Sequence, residues 1–144
     1  MNGVSLRWQF DDETLRAYLE RLSQEQFVRV RQDVGEYMVG QIQDRFDEQR
    51  LWDGSAMSQS KAAIARQGQT LIENRLLYQS YVYQLVSKGV TVGSNLAYAA
   101  IHHFGGDTGR GHRTHIEARP VLGVNDLDER IIGNKLVNAL KDMQ

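Results

Sequence analysis

Cysteine is absent from the 144 residues of this chain, and proline occurs once, at Pro120. The absence of cysteine excludes disulfide bonds, thiolate metal ligands and a cysteine nucleophile, and it fits a reducing compartment. A strong charge of either sign is also absent. The formal net charge is −1, so there is no overall electrostatic case for binding nucleic acid or an anionic membrane.

Long apolar runs are missing as well. No run approaches the roughly 18 residues that span a bilayer, and the first residues, MNGVSLRWQFDDE, have no apolar core of signal-peptide length. Hydrophobic residues make up 41% and charged residues 24% of the chain, which is ordinary for a soluble globular protein. We therefore predict a soluble intracellular protein with a single domain over residues 1–144 and a modest core.

Helical periodicity dominates the first half of the chain. Before it, apolar residues alternate in residues 4–10, VSLRWQF, which predicts a short strand. Residues 11–23 begin with acidic residues and repeat leucine at i, i+4 and i+7, so we predict a helix. Residues 24–50 predict a longer helix, because apolar residues keep the 3.6-residue period over about five turns. Its Gly35 and Gly40 are either tolerated weak spots or points of close approach to another helix or subunit.

The second half begins with shorter elements. Short helices are predicted at residues 59–68 and 71–80. The segment YVYQLV alternates and is rich in β-branched and aromatic residues, and SKG and VTVGS follow it. This succession predicts a β-hairpin with Gly89 in its loop. NLAYAAIHHF then predicts a short helix capped by Ser94 or Asn95.

The remainder is predicted to form a loop, a strand and a helix. Residues 105–115 hold four glycines and predict a mobile loop, while residues 116–124, IEARPVLGV, predict a strand with the proline at an edge or bend. Residues 126–143 predict an amphipathic helix. Its predicted buried stripe consists of Ile132, Leu136, Val137 and Leu140. Together the elements predict an α+β fold, in which N-terminal helices pack on a small, mainly antiparallel sheet and a helix closes the chain.

All four histidines, His102, His103, His112 and His115, lie within fourteen residues. Zinc and nickel bind imidazole readily, so one alternative function is a small metal-dependent hydrolase that uses this cluster. Neighbours on a helix point about 100° apart, however, so His102 and His103 do not form a chelating i, i+4 pair. An HExxH pattern is also lacking. We therefore expect no metal site, with one histidine packed at the helix end and the others solvated.

Catalytic and nucleic-acid patterns are weak. GxSxG, SxxK and P-loop motifs are absent, so no catalytic residue is predicted. The carboxylates Asp128 and Glu129 are interpreted as part of a solvated helix face. Arg110, Arg113 and Arg119 make the glycine-rich segment basic, which leaves a DNA-contacting module as a third hypothesis. Aromatic residues do not interleave with these arginines, so no stacking platform is predicted.

Several motifs follow one another in a familiar order: LWDG, TLIENRLLYQS, VTVGSNLAYAAIHHFGG and IEARPVLG, before a final helix. This succession resembles the phage virion morphogenesis family, the tail-completion proteins of the Mu and P2 type. The resemblance extends from Phe46 to the C-terminus. Its matching residues are Val92, Gly93, Asn95, Tyr98, Ala99, Ile101, His102, Phe104, Gly105, Gly106, Ala118, Arg119, Pro120 and Gly123.

The resemblance implies a structural virion protein rather than an enzyme. Such a protein completes the tail, or joins head to tail, as a ring of its own copies, and six subunits would match the symmetry of a tail. The implied partners are further copies of the chain and neighbouring tail-tube, tail-terminator or connector proteins. The implied location is the virion, and the host cytoplasm during assembly. No cofactor and no membrane partner are expected, and any DNA contact is expected to be nonspecific.

The same resemblance turns the histidine segment into an interface element. Tyr98, Ile101 and Phe104 are then expected to be anchors that a neighbour buries. The two glycines that follow them would let the chain turn sharply. His102 is expected to make a structural hydrogen bond.

The hairpin strand YVYQLV is apolar on both faces. Tyr81, Tyr83 and Leu85 alternate with Val82 and Val86. A hairpin of one domain buries one face on its own helices, and a large exposed apolar patch is unusual in a monomer. We therefore assign the valine face to a contact with a neighbouring subunit.

Overall fold

The computed structural model describes residues 3–9, 17, 24–72 and 75–142, so the helix predicted at residues 11–23 lies outside the described residues, apart from Ala17. The strands are β1 (Val4–Gln9), β2 (Tyr81–Val86), β3 (Gly89–Ser94), β4 (Gly106–Thr108) and β5 (Thr114–Ile116). The helices are α1 (Gln24–Glu48), α2 (Lys61–Arg66), α3 (Leu76–Ser80), α4 (Ala99–Phe104) and α5 (Asp126–Lys141), with a 3₁₀ turn at Arg110–His112. These elements confirm the predicted α+β fold.

The main sheet has three strands in the order β1-β3-β2, and both pairs are antiparallel. β2 and β3 form the predicted hairpin, but Gly89 pairs with Val86, so Gly89 belongs to the strand and the loop is shorter than predicted. Tyr81, Val90 and Val92 are at most 3% exposed, because strand alternation turns them to one face of the sheet. That face forms one wall of the core.

Helix α1 forms the opposite wall. Its apolar residues recur at i and i+4, so they lie on one face of the helix. The most buried of them are Val30, Val34, Met38, Ile42 and Phe46, which are 0–3% exposed. The packing of this stripe on β2 and β3 brings the helix and the hairpin together as one unit.

The two glycines inside α1 have different explanations. A Cβ atom on Gly35 would lie 2.5 Å from Cγ of Tyr83, so glycine is needed where β2 approaches the helix. The element that approaches is a strand of the same chain, and not the helix or subunit that we considered. A Cβ atom on Gly40 would meet nothing within 4 Å, so Gly40 is a tolerated weak spot.

The short helices α2 and α3 confirm two predicted elements but are shorter than predicted. Ser60 begins α2, because its side chain accepts a hydrogen bond of 3.1 Å from the amide of Ala63, as a good N-cap does. Leu71 has a left-handed backbone with φ of 65°. It is therefore not helical, and the helix predicted from residue 71 begins at Leu76.

Helix α4 is not capped as predicted. Its N-cap residue is Tyr98, which makes no side-chain capping bond. Ser94 instead ends β3: its Oγ accepts a 3.1 Å hydrogen bond from the amide of Leu96 and lies 2.7 Å from Oγ of Ser80. Asn95 is exposed ahead of the helix. The prediction that Ser94 or Asn95 caps α4 was therefore wrong. The hydroxyl of Ser94 accepts its hydrogen bond within the turn that follows β3.

The glycine-rich segment is not an irregular loop. β4 and β5 pair as a second antiparallel hairpin, with Asp107 opposite His115. Glycine allows this because Gly109 and Gly111, between the two strands, have φ of 81° and 69°, a region that other residues seldom enter. The expectation that residues 105–115 are mobile stays a prediction.

The strand predicted at residues 116–124 ends at Ile116. Backbone groups of the following segment bond to other parts of the chain and not to a neighbouring strand. Trp52 donates its amide to the carbonyl of Pro120 over 3.0 Å, and the carbonyls of Val121 and Gly123 accept hydrogen bonds from an arginine of α1. The segment is therefore ordered without being a strand.

Helix α5 confirms the predicted C-terminal helix. The side chain of Asn125 accepts a hydrogen bond from the amide of Asp128, and the amide of Asn125 donates one to the carboxylate of Asp128, which forms a capping box. Ile132 and Leu136 are 1% and 6% exposed, as predicted. Val137 is 48% exposed, so its assignment to the buried stripe was wrong. The core contacts are made by Ile132 and Leu136, which are four residues apart and lie on one face of the helix.

Candidate assembly surface

Helix α4 connects the core to the surface. Ala99 is fully buried, and this small side chain allows the helix to lie close to the core. Ile101 is half-buried, whereas Tyr98 and Phe104 are 41% and 69% exposed. Large aromatic side chains at such exposure are costly in water unless a partner covers them. In the isolated subunit these residues are not buried anchors, and they remain available to a partner.

The two adjacent histidines of α4 lie half-buried and point to different neighbours. The ring of His102 contacts Tyr98 edge-to-face at 6.0 Å, and that of His103 contacts Phe104 at 4.6 Å. Nδ1 of each ring is buried without a hydrogen-bond partner. Burial lowers the pKa of both imidazoles, and the nearby guanidinium of Arg119 lowers that of His102 further. The neutral form of both rings is therefore favoured more than in a free imidazole.

The hydrogen bond expected of His102 is made by its backbone and not by its imidazole. Its carbonyl accepts the amide of Arg119 over 2.8 Å. The guanidinium of Arg119 is 7% exposed, and its Nε donates to the carbonyl of Ser58 over 2.9 Å. Arg119 also pairs with the carboxylate of Glu117, which accepts a 2.8 Å bond from the hydroxyl of Ser58. This arginine therefore fastens the fold and is not free to bind phosphate.

Gly105 and Gly106 allow the predicted sharp turn after α4. Gly105 has φ of 72°, and a Cβ atom there would lie 2.7 Å from the amide nitrogen of Ala118. Gly106 has φ of 138°. The chain can therefore reverse at once into β4, and the second hairpin lies beside α4.

A buried ion pair that the sequence analysis missed holds the second half of the molecule to α1. Arg45 is 2% exposed and Asp128 is fully buried, with 2.5 Å between Nη2 and Oδ2. Nη1 of Arg45 donates to the carbonyls of Val121 and Gly123 over 2.7 and 3.0 Å. The hydroxyl of Tyr37 donates to Oδ1 of Asp128 over 2.8 Å, and burial together with this bond raises the pKa of Tyr37.

This ion pair corrects the interpretation of Asp128 and Glu129. Asp128 is not part of a solvated helix face, because its carboxylate bonds to α1 and caps α5 at the same time. Glu129 is exposed, as expected. A Cβ atom on Gly123 would lie 2.6 Å from Cγ of Trp52. The LWDG and ARPVLG motifs therefore pack face to face beside the buried pair.

The geometry gives no support to a metal-dependent hydrolase. Among the described residues, no three histidine or carboxylate side chains come together in a way that could hold a metal ion. His115 lies 2.9 Å from Oδ1 of Asp107 on the exposed hairpin. His112 is exposed on the 3₁₀ turn, and the two histidines of α4 point elsewhere.

The match to known proteins agrees with these motifs. A profile of the phage virion morphogenesis family matches residues 10–141, which is most of the chain. The chain belongs to the phage virion morphogenesis family. It is also 42% identical over 64 residues to the protein described as Mu-like prophage FluMu G protein 2 of Haemophilus influenzae, a match that covers 44% of this chain and 46% of that relative. The chain thus spans about half the length of that relative. No solved structure matches it.

The residues that carry the family resemblance divide into two groups in this virion morphogenesis protein. The first group shapes the scaffold and is buried or half-buried: Val92, Gly93, Ala99, Ile101, His102, Gly105, Gly106, Arg119, Pro120 and Gly123. The second group is exposed: Asn95, Tyr98, Phe104 and Ala118. No helix within the described ranges is long and apolar enough to cross a membrane.

Proposed function

We propose that this virion morphogenesis protein completes the tail, or joins head to tail, of a contractile-tailed phage or prophage as a homo-oligomeric ring. The resemblance to tail-completion proteins implies six subunits, the number that would match the symmetry of a tail. The role is structural and not enzymatic. The observation that carries this proposal is the exposed aromatic pair of α4, Tyr98 and Phe104, within the motif shared with the family.

Exposed aromatic residues on a rigid helix are suited to protein contact. They offer a large apolar area with few rotatable bonds, so little conformational entropy is lost on association. Phe104 ends α4 directly before the turn at Gly105, and the backbone amide of that glycine bonds back to the carbonyl of Ile101 over 2.7 Å. The backbone at Phe104 is therefore held in place before any partner binds.

A second exposed apolar surface lies on the outer side of the sheet. Val82 is 46% exposed and Val86 is half-buried, while Tyr81 and Tyr83 on the same strand turn to the core. β2 is an edge strand, so a neighbour could cover the valine face and also pair with the edge. These features support the proposal that the subunit has more than one contact surface.

The proposed partners are other copies of this chain in the ring and, above and below it, tail-tube, tail-terminator or connector proteins. The proposed location is the assembled virion, after a stage in the host cytoplasm. Any contact with DNA would be nonspecific, because Arg119, one of the three arginines considered for that role, is already bound within the fold.

The mass of the purified protein by light scattering, together with electron microscopy of negatively stained particles, tests the ring. We expect closed rings for the native chain and a folded monomer for Val82→Lys with Val86→Lys, because burial of unpaired ammonium groups at the contact would oppose association. Val82→Thr with Val86→Thr is the matched control and should keep the rings. A native protein that stays monomeric at high concentration would contradict the proposal, and unfolding of the lysine variant would assign the face to the core.

The structural role has its own test at His102. Replacement by alanine should weaken assembly or folding, because the half-buried ring contacts Tyr98, and it should abolish no chemical turnover. A hydrolytic activity that is present in the native protein and lost in the His102→Ala variant would overturn the non-enzymatic role.

A further inference from the structure

A groove of about 1030 Å³ lies between α2, α4 and the second hairpin. Its lining includes the partly exposed apolar side chains of Ile116 and Tyr98, here called the floor, and the cations of Lys61 and Arg113, here called the rim. Tyr98 also belongs to the family motif, so the groove is continuous with the aromatic surface of α4. An occupant must therefore offer both apolar surface and negative charge.

The cations of the rim are available for an ion pair with a partner. Lys61 and Arg113 are exposed, and neither pairs with a carboxylate within the described part of the chain. The carboxylate of Glu117, which also lines the groove, is held by Ser58 and Arg119. The groove therefore has an excess of positive charge beside its apolar floor.

The first turn of α5 has the complementary chemistry. Leu127 is 52% exposed, and the side chains of Asp126 and Glu129 on the same turn are exposed as well. The turn is rigid, because Asn125 caps it and the buried carboxylate of Asp128 fastens it to α1. A preorganised element loses little entropy when it docks.

We propose that the first turn of α5 of one subunit docks in this groove of the next subunit, with Leu127 on the apolar floor and Asp126 and Glu129 beside Lys61 and Arg113. The proposal rests on the proposed ring. A contact between two different surfaces of identical subunits is heterologous, and a heterologous contact repeated around an axis is what closes a ring.

The apolar floor favours a protein occupant over DNA. A phosphate backbone would pair with Lys61 and Arg113 but would leave Ile116 and Tyr98 without a matching apolar group. Around the helix Asp126 lies between Leu127 on one side and Glu129 on the other, so the turn presents a leucine to one wall of the groove and two carboxylates to the other. The first turn of α5 offers this combination on the chain's own surface.

Charge reversal tests the docking. In the groove, Lys61→Glu with Arg113→Glu removes the attraction, and the fold should tolerate it, because Lys61 is the first residue of α2, where a helix favours an acidic side chain. On α5, Asp126→Lys with Glu129→Lys does the same from the other side. We expect each double variant to weaken self-association by about tenfold or more, measured by analytical ultracentrifugation at low salt.

The variant that carries all four reversals is the decisive one. Because every subunit then has both an acidic groove and a basic turn, complementarity returns, and we expect the association constant to recover to within about threefold of the native value. Lys141→Glu, at the opposite end of α5, is the control for a change of charge alone and should leave association unchanged. Thermal unfolding of every variant shows that the fold is kept.

The failures of the two proposals can be told apart. Native rings that both double variants still form, or a fourfold variant without recovery, would overturn the docking while the ring stands. A native protein that never associates would overturn the ring and the docking with it. If the groove variant lost affinity for duplex DNA while its mass stayed that of the ring, the groove would be a nucleic-acid site, and the docking would be wrong.

Discussion

Replacing Arg45 by methionine removes a buried cation while keeping the length of the side chain. In the native fold its guanidinium serves three acceptors: Oδ2 of Asp128 at 2.5 Å and the carbonyls of Val121 and Gly123 at 2.7 and 3.0 Å. Without it, the fully buried carboxylate of Asp128 keeps the hydroxyl of Tyr37 and its bonds at the start of α5, but has no positive partner.

The expected loss in the free energy of unfolding follows from the uncompensated charge of Asp128. Removing one partner of a buried pair typically lowers stability by about 3–5 kcal/mol, so we expect Arg45→Met to lower the free energy of unfolding by about 4 kcal/mol. Asp128→Asn should lower it by a similar amount, about 3 kcal/mol or more, because it leaves the buried guanidinium of Arg45 with only the neutral carbonyls of Val121 and Gly123. The double variant should lose less than the sum of the two by at least about 1 kcal/mol, because the two side chains share one network.

Urea unfolding followed by tryptophan fluorescence measures these changes, because Trp52 packs against Gly123 beside the network. The slope of the unfolding free energy against urea concentration should stay constant, so that only the urea concentration at the midpoint shifts. The control is Arg29→Met, which removes an exposed ion pair with Glu25 and should leave stability nearly unchanged. A loss below about 1 kcal/mol for Arg45→Met would refute the reasoning, because it would mean that the pair is solvated.

Three further predictions concern other parts of the molecule. Gly123→Ala should destabilise the fold by about 1–3 kcal/mol by a clash with Trp52, whereas Gly40→Ala, which meets no neighbour, should stabilise it by about 1 kcal/mol; urea unfolding distinguishes the two signs. Amides of residues 105–115 should exchange quickly in the free subunit and slowly in the ring, because a short two-stranded hairpin is marginal alone; equal, strong protection in both would contradict this. Burial lowers the pKa of His102 below 6.5, so the unfolded chain binds the proton more tightly and stability should fall as pH drops below 6.5. His102→Gln should reduce that loss of stability, measured as the melting temperature at a series of pH values. The same dependence of melting temperature on pH in variant and native protein would contradict this prediction.

The elements that the sequence predicts well are those with long or strict periodicity. The apolar stripe of α1 repeats over many turns, and the alternation in YVYQLV and VTVGS leaves one face for the core, so both elements lie where predicted. The strand predicted at residues 116–124 was wrong, because a run of apolar residues does not show where its backbone groups will bond. Arg45 and Trp52, far away in the sequence, supply those bonds.

The buried ion pair was missed for a related reason. Asp128 looked like a surface carboxylate because it stands among Asp126 and Glu129, and charge in a row usually faces water. Two signals were available. The spacing of Asn125 and Asp128 is that of a capping box, and Arg45 lies one residue before Phe46, on the apolar face of α1. A cation on an apolar face requires a buried partner.

The exposed half of the family motif requires a different argument from the buried half. Gly105 and Arg119 are explained within one subunit, since each has close contacts that a larger or uncharged side chain would break. Phe104 has no such explanation, because most of its surface faces water. Its ring contact with His103 covers only part of it, and a large exposed aromatic side chain is suited to burial by a partner. Assembly should therefore be tested first at Phe104, because contacts within the subunit do not explain this residue.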